Sequence, residues 1–515
     1  MKGRKIDMRK LTALKRVGLL ASLAIWSLNC ASAESWKPLK NQPDFAAVHM
    51  MLLTDGTVMC QAELTGNWYR LTPDKEGSYI DGTWTRIADM PPGYAPLYYA
   101  SAVLADGRAV VMGGEYNGSV QTADTNRGAI YDPLTNVWAN LAAPDGFLSI
   151  GDAQSVVLPD GKWMLADPVG PCASACGSGT AFLDPATLTW TTLNSNFRAN
   201  GKADSDDEEG WTLLPDGTVL TVDTRDDTNS ERYFPSTNTW NSAGSTLVSL
   251  EGSGELGPAV LLPNGTVFAT GACSFNPDGT CASPAHTAVY TPPKEVGGIG
   301  LWTAGPDFPD GLNIPDGPGS LLPNGHVLVM TSPGANSGAV FFEFDGTDLN
   351  RVPGPPNAPN DPAFVGTMLV LPTGQVMLTD FSHDIEVYTS GGTHKGAWAP
   401  TIRHAPVQVR PGSTYTISGT QFNGLSQGAA YGDDAQMSTN YPLVRVRNKA
   451  TGHVNYWRTH DHSTMAVATG NALVSTHFDV PEDAEEGIAD LVVVANGIPS
   501  SPRIVMVGRG RGRDR

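Results

Sequence analysis

Seven times along the chain an alternating apolar run is broken by a short polar turn and then resumes. The copies are MMLLTDGTVMC from Met50, SAVLADGRAVVMGG from Ser101, SVVLPDGKWML from Ser155, TLLPDGTVLTV from Thr212, AVLLPNGTVFATG from Ala259, SLLPNGHVLVM from Ser320 and MLVLPTGQVML from Met368. Measured between the residues before each turn glycine (Asp55, Asp106, Asp160, Asp216, Asn264, Asn324, Thr373), the steps are 51, 54, 56, 48, 60 and 49 residues. Asp-Gly or Asn-Gly between two period-2 apolar runs predicts a tight hairpin, here of type I′, because the turn needs positive φ. A strand-bearing repeat near fifty residues predicts a propeller or a solenoid.

The second half of each unit repeats as well. An aromatic or Leu residue, a turn and a tryptophan strand recur at YDPLTNVW (Tyr131–Trp138), LDPATLTW (Leu183–Trp190) and YFPSTNTW (Tyr233–Trp240). Looser copies reach Trp84 and Trp302, and Leu349 takes the tryptophan position in the sixth unit. Four strands per unit make a blade, and radial repetition leaves only short edges. The seventh unit runs out after IEVYTS (Ile385–Ser390), and its missing strand is supplied by SWKPL from Ser35, which closes the ring. The expected fold class is all-β: a seven-bladed propeller over residues 34–400, then a different module.

That module spans 401–507. TYTISGTQFNG, then runs at Leu443, Asn455, Ala466, Ala472 and Ala489, read as the short strands of an immunoglobulin-like sandwich. Residues 508–515 form a basic tail expected to be disordered. Residues 1–33 read as an export signal: a basic start, the apolar VGLLASLAIWSL, and Ala31-Ser32-Ala33 as cleavage site. A secreted or periplasmic, monomeric protein without a membrane span is expected, since the apolar run is short for one. Of the cysteines beyond the signal, Cys172 with Cys176 and Cys273 with Cys281 are close enough for two local disulfides, as export permits. Structural zinc on these four is the alternative, with less regular spacers than zinc favours. Cys60 is left over. Without the signal the chain keeps 26 Lys plus Arg against 51 Asp plus Glu. Such acidity disfavours nucleic acid and anionic membrane surfaces as partners.

Taken together, these features resemble the galactose oxidase/glyoxal oxidase superfamily, in which a kelch-type seven-bladed propeller precedes an early-set immunoglobulin-like domain. The resemblance covers Ser35 to Val507. Phrases such as GDAQSVVLP, DEEGWTLLP and GDDAQMSTNYPLVRV place the chain nearest an exported bacterial branch. For the superfamily's copper-radical oxidases the resemblance implies a cysteine thioether-linked to a copper-binding tyrosine, a Tyr-His pair from the last blade, and a histidine inserted through the pore from the C-terminal domain. Aligned on the turn glycines, this chain offers Tyr98 in place of the cysteine, Asp152 in place of the tyrosine, and Phe364-Val365 in place of Tyr-His. Only His460 or His462, in RTHDHST, remains as a counterpart. Copper and the radical chemistry are therefore not expected; the fold carries over and the activity does not.

The same alignment brings other residues to the axis. The positions eight before the turn are Ala47, Tyr98, Asp152, Glu208, Leu256, Asp316 and Val365, with Glu209 and Glu255 one residue off this register. Carboxylates from four successive inner strands should converge at one mouth, where they repel unless protons or a cation intervene. Oxygen donors suit calcium or magnesium; His49, His460 or His462 would shift the preference toward manganese or zinc. The plainer alternative is a set of carboxylates that lock blades by accepting backbone N–H groups. In DSDDEEG, Asp204, Asp206 and Asp207 read as a solvated loop, ahead of Glu208 and Glu209. Tyr94, Tyr98 and Tyr99 could stack on a sugar, with Tyr99 alternatively in the core. No GxSxG, HExxH or helix-opening GxGxxG is present. Two functions follow: an exported binding protein for a saccharide or cationic ligand, or an enzyme, either a metal-dependent one using the axial carboxylates or an atypical oxidase.

Overall fold

The computed structural model describes residues 34–118, 124–168, 179–193, 199–226, 228–295, 297–434 and 437–508. Seven four-strand antiparallel meanders follow one another around an axis, and their first strands lie side by side at the centre. Those inner strands are Ala47–Leu52, Ala100–Val103, Ser155–Val157, Thr212–Leu213, Leu256–Leu261, Gly319–Leu321 and Thr367–Val370. The outermost strand of the seventh blade is Ser35–Pro38, paired antiparallel with Glu386–Thr389 so that Trp36 lies opposite Tyr388.

The turns depart from the type I′ expectation. Only the glycine is left-handed, with φ from 77° at Gly56 to 93° at Gly325, while the Asp, Asn or Thr before it is not. In blade one, Gly56 N–H donates to Leu53 O and Leu53 N–H to Thr57 O, the pattern of a three-residue loop with a glycine bulge. The turn side chain accepts from the residue after the glycine: Asp55 Oδ1 from Thr57 N–H at 3.0 Å, and Asn324 Oδ1 from His326 N–H at 2.9 Å. The choice of Asp or Asn is thus made by this side-chain acceptor rather than by a left-handed φ of its own.

Tyr131 faces Trp138, Leu183 faces Trp190, Tyr233 faces Trp240 and Tyr290 faces Trp302 across the outer strand pairs. In the sixth blade Phe344 faces Leu349. Ring closure is anchored by the half-buried Trp36, whose ring centroid lies 5.1 Å from Phe341 and 4.9 Å from Tyr388 and whose Nε1–H donates to Pro353 O at 2.7 Å. Replacing Trp36 by Ala should destabilise the protein by about 2 kcal/mol. An unchanged unfolding midpoint would show that the ring is closed by other contacts.

Beyond the ring, two sheets pack face to face. One contains Thr401–His404, Thr414–Thr420, Val474–Asp479 and Thr459–His460. The other contains Gln408–Val409, Arg503–Val507, Gly487–Ala495, Leu443–Asn448 and Val454–Trp457. Ile402, Ile417, Val444, Trp457, Phe478 and Leu491 form their shared core. The run at Ala466 is not a strand: Val467 leaves the sandwich and buries itself in the core of blades three to five. Cys273 and Cys281 form a disulfide, and Cys60 is free and buried. Cys172 and Cys176, like residues 1–33 and the tail beyond Gly508, lie outside the described residues. No helix among the described residues is long and apolar enough to cross a membrane.

Candidate functional site at the propeller axis

The sandwich docks on the turn end of the inner strands. Thr459 N–H donates to Thr54 O, His462 N–H to Ala105 O and Met465 N–H to Pro159 O, all in or beside the hairpin turns of blades one to three. From this end one segment climbs the channel. Gln427 Oε1 accepts from Leu213 N–H at 2.8 Å in blade four, and Ala429–Ala430 adds as a strand beside Gly319–Ser320 of blade six. Tyr431 Oη then donates to Phe364 O at 2.5 Å. At the far mouth Gly432 passes so close to blade six that an added Cβ would lie 2.6 Å from Asp316 Oδ1 and 2.8 Å from its Cα. Only glycine fits there, and the two residues after it are Asp433 and Asp434.

The mouth collects carboxylates from four blades and from this inserted segment. Oxygens of Asp152, Glu208 and Asp433 lie within 4.8 Å of one another, and so do those of Glu208, Glu255 and Asp316. Glu208 is common to both groups, so the two form one continuous cluster. Asp433 and Asp434 are buried, while the four blade residues are partly exposed. Burial, then the neighbouring Asp433, holds the Asp152 and Glu208 carboxyls well above the usual range. Burial, then Glu255, does the same to Asp316. Burial, then Glu255, pushes Asp433 up to about 7 against the pull of its hydrogen bonds. Glu115, hydrogen-bonded to Tyr116, adds to the field on Asp152.

The backbone is unusual at the same places. Tyr98, Glu208 and Asp316, the residues eight before the turn in blades two, four and six, have φ of 51°, 58° and 45°. Non-glycine residues adopt this region at a cost and do so mainly at turns and functional sites. Here it breaks the strand just before the ladder starts and aims each side chain across the mouth.

Other expected members lie elsewhere. His460 and His462 are at the turn end: His460 bonds Asp461 and Asp479, and His462 Nδ1 contacts Thr476 Oγ1 at 2.8 Å with its ring stacked on Tyr441. They sit an inner strand's length from the carboxylates, whose partner from the sandwich is the Asp433 loop. His49 lines a cavity of about 20 Å3 with Tyr98, Phe364, Phe381, Tyr431 and Asp434, room for about one water. Its Nε2 is 2.8 Å from Ser101 Oγ, and burial lowers its pKa to about 3, so it is neutral. Tyr94 and Tyr99 are core residues whose hydroxyls donate to Gly113 O and Gln61 Oε1. Tyr98 alone of the three tyrosines stays at the mouth, between Tyr116, Phe381 and Tyr431.

Glu209 turns away from the axis, as the alternation of a strand requires. It accepts from Lys202 Nζ at 2.8 Å and from Thr221 Oγ1 at 2.8 Å. Lys202 is buried and also meets Asp204 at 2.6 Å, Glu231 at 2.9 Å and Asp223 at 3.4 Å. Asp204 and Asp206 are therefore interior residues and not a solvated loop; Asp207 alone is outward, paired with Arg225. Sequence reasoning missed Lys202, Glu115, Tyr431, Asp433 and Asp434, although the Gly-Asp-Asp run at 432–434 was a visible signal.

No family model matches the chain. The kelch-like protein terF of Aspergillus terreus is 37% identical over 82 residues, 16% of this chain and 17% of that protein. An F-box/kelch-repeat protein of Arabidopsis thaliana is 29% identical over 103 residues, 20% of this chain and 27% of that one. The chain thus spans only a small part of either curated relative. A copper-bound fungal alcohol oxidase of the AA5 family superposes over 93% of this chain and 100% of its own, with a TM-score of 0.53 at 16% identity. At that identity the likeness is one of fold. The fold shared with that oxidase is a seven-bladed propeller, with kelch-like sequence in part of it, followed by a β-sandwich.

Proposed function

We propose that the chain is an exported binding protein that holds a hard divalent cation, calcium or manganese, at the propeller mouth and uses it to present a site for a saccharide. The observation that carries this reading is the convergence of Asp152, Glu208 and Asp433, and of Glu208, Glu255 and Asp316, as two triples within ligand distance that share Glu208. Oxygen-only donors suit these cations, and the histidines that would favour zinc lie elsewhere. A cation bound by several carboxylates in a partly open mouth can also take sugar hydroxyls. The Cys273–Cys281 bridge supports export.

The residues at the copper-radical positions do not fit that group. Phe364 and Val365 carry no metal-binding side chain, Asp152 cannot form a tyrosyl radical, and Tyr98, at the cysteine position, supplies no sulfur for a thioether. Lacking a second redox centre, a lone metal here would not run two-electron alcohol oxidation. A radical absorption band with peroxide production from alcohols in copper-loaded protein would overturn this part.

The test of the cation is unfolding temperature with calcium, manganese or EDTA, for wild type and Asp316→Asn. We expect a rise of several degrees with cation in wild type and a much smaller one in the variant. Identical unfolding temperatures in all conditions would leave the carboxylates as blade locks. A glycan-binding screen in calcium and in EDTA then tests the ligand. A second reading, metal-dependent hydrolysis or elimination, rests on the clustering of Asp152 and Glu208 with Asp433, where both carboxyls are raised; turnover of a bound oligosaccharide would select it.

A further inference from the structure

The sandwich carries a second group of metal-ligating side chains, at the opposite end of the molecule's axis from the carboxylate mouth. His460 and His477 are directly opposed in the antiparallel pair of Thr459–His460 with Val474–Asp479, so both imidazoles leave the same face, ring centroids 5.5 Å apart. Asp461 follows in a left-handed conformation, φ 50°, that turns its carboxylate back between the rings. Its Oδ2 lies 2.8 Å from His460 Nδ1 and 3.5 Å from His477 Nδ1. All three ligand atoms fall within 4.8 Å of one another. Four-coordinate zinc, with bonds of about 2.0–2.1 Å, needs ligand atoms roughly 3.3 Å apart, so the three need only small side-chain adjustments.

A separate observation points the same way. His460 Nε2 faces Asp479 Oδ1 at 3.2 Å, and Asp479 is itself held by Thr414 Oγ1 at 2.6 Å and Arg458 Nη1 at 3.1 Å. An imidazole that donates its far N–H to a fixed carboxylate presents its near nitrogen as a lone pair, the usual support of a metal-binding histidine. Asp461 and His477 have side chains 60% and 43% exposed, which leaves a solvent-facing side.

We propose that His460, Asp461 and His477 form a binding site for a borderline first-row divalent cation of the zinc type, with Asp479 positioning His460 and one coordination position open to solvent or an added ligand. Two imidazoles and one carboxylate favour zinc over calcium. The proposal does not depend on the axial cation.

The test is calorimetric zinc titration of the full chain in excess calcium, with cobalt absorption reporting tetrahedral nitrogen and oxygen ligation. We expect one zinc equivalent in wild type and in Asp316→Asn, and none at this site in His477→Ala or Asp461→Asn. Asp479→Asn should bind about 10–100-fold more weakly. Unfolding midpoints in EDTA check that each variant is folded. Zinc affinity unchanged in both folded His477→Ala and Asp461→Asn, or no zinc uptake by wild type at micromolar concentration, would overturn the proposal, as would binding lost only in Asp316→Asn.

Discussion

Lys202→Met is expected to be the most damaging single substitution in the propeller. The ammonium is buried against Asp204, Glu209, Glu231 and Asp223, at 2.6 to 3.4 Å, with its Nζ 5.5 Å from the Trp240 ring. Burial acts to lower its pKa, but the surrounding carboxylates, Glu209 and Asp223 first, raise it well above the usual lysine value, so it stays charged. Removing this cation leaves buried acid groups facing one another. Breaking a buried ion pair in this way costs about 3–5 kcal/mol. Soluble yield and unfolding midpoint check it. Lys202→Arg should rescue poorly, because a planar guanidinium does not fit a site built around a point charge. Adding Glu209→Gln to Lys202→Met should restore part of the loss, since it removes one of the stranded charges. A Lys202→Met protein as stable as wild type would mean that the carboxylates carry protons at no cost and the lysine is incidental.

This network shows where sequence reading stopped. Period, turn and tryptophan signals are local, so blade number, the Leu349 substitution and the closing strand at Trp36 could all be read from spacing. The axial register was legible for the same reason: a strand's alternation and the distance to the turn place Asp152, Glu208 and Asp316 without knowledge of neighbours. Glu255, one residue off that register, still reaches the mouth because the inner strand of blade five has a register shift between Leu256 and Ala259. The turn type was misjudged because Asp-Gly serves both a type I′ turn and a glycine bulge, and only backbone geometry separates them. Lys202 was invisible because one lysine in an acidic stretch looks solvated; its burial depends on Asp223 and Glu231 arriving from the next strands. The choice of inserted segment depended on how the sandwich docks. RTHDHST and AAYGDD both carry ligand-type residues, and docking at the hairpin turns places the former there and sends the latter, Ala429–Asp434, up the channel.

Stability should fall with rising pH more steeply when the protein is cation-free than when it is cation-loaded. Several buried carboxyls have folded pKa values above their ordinary ones: Asp433 and Asp223 at about 7, each through burial first, Asp361 at about 7 through burial and then Asp380, and Glu386 at about 8 through burial and then Asp384. For each, the folded state holds a proton that the unfolded state has released once pH exceeds about 4. The stabilisation they give is complete below that point and is lost as pH rises through 7 to 8. In EDTA the unfolding temperature should therefore fall between about pH 7 and pH 8, above the range in which the buried histidines act. A cation competes with the protons at Asp152, Glu208, Asp316 and Asp433, so calcium or manganese should raise the unfolding temperature little at pH 5 and most at pH 8. Groups of the opposite sign include Asp479 and Asp461, whose lowered values cost stabilisation only below about pH 4. They also include His49 and His462, which burial holds neutral with values lowered to about 3, so that their stabilisation is lost as pH falls from about 6.5 downward. Unfolding temperatures at pH 5, 6, 7 and 8, in EDTA and in excess calcium, check both halves. A cation-free curve that rises between about pH 7 and pH 8 would show that the buried carboxyls are ionised and compensated by other groups. A calcium effect of equal size at pH 5 and pH 8 would place any bound calcium away from the axial carboxylates.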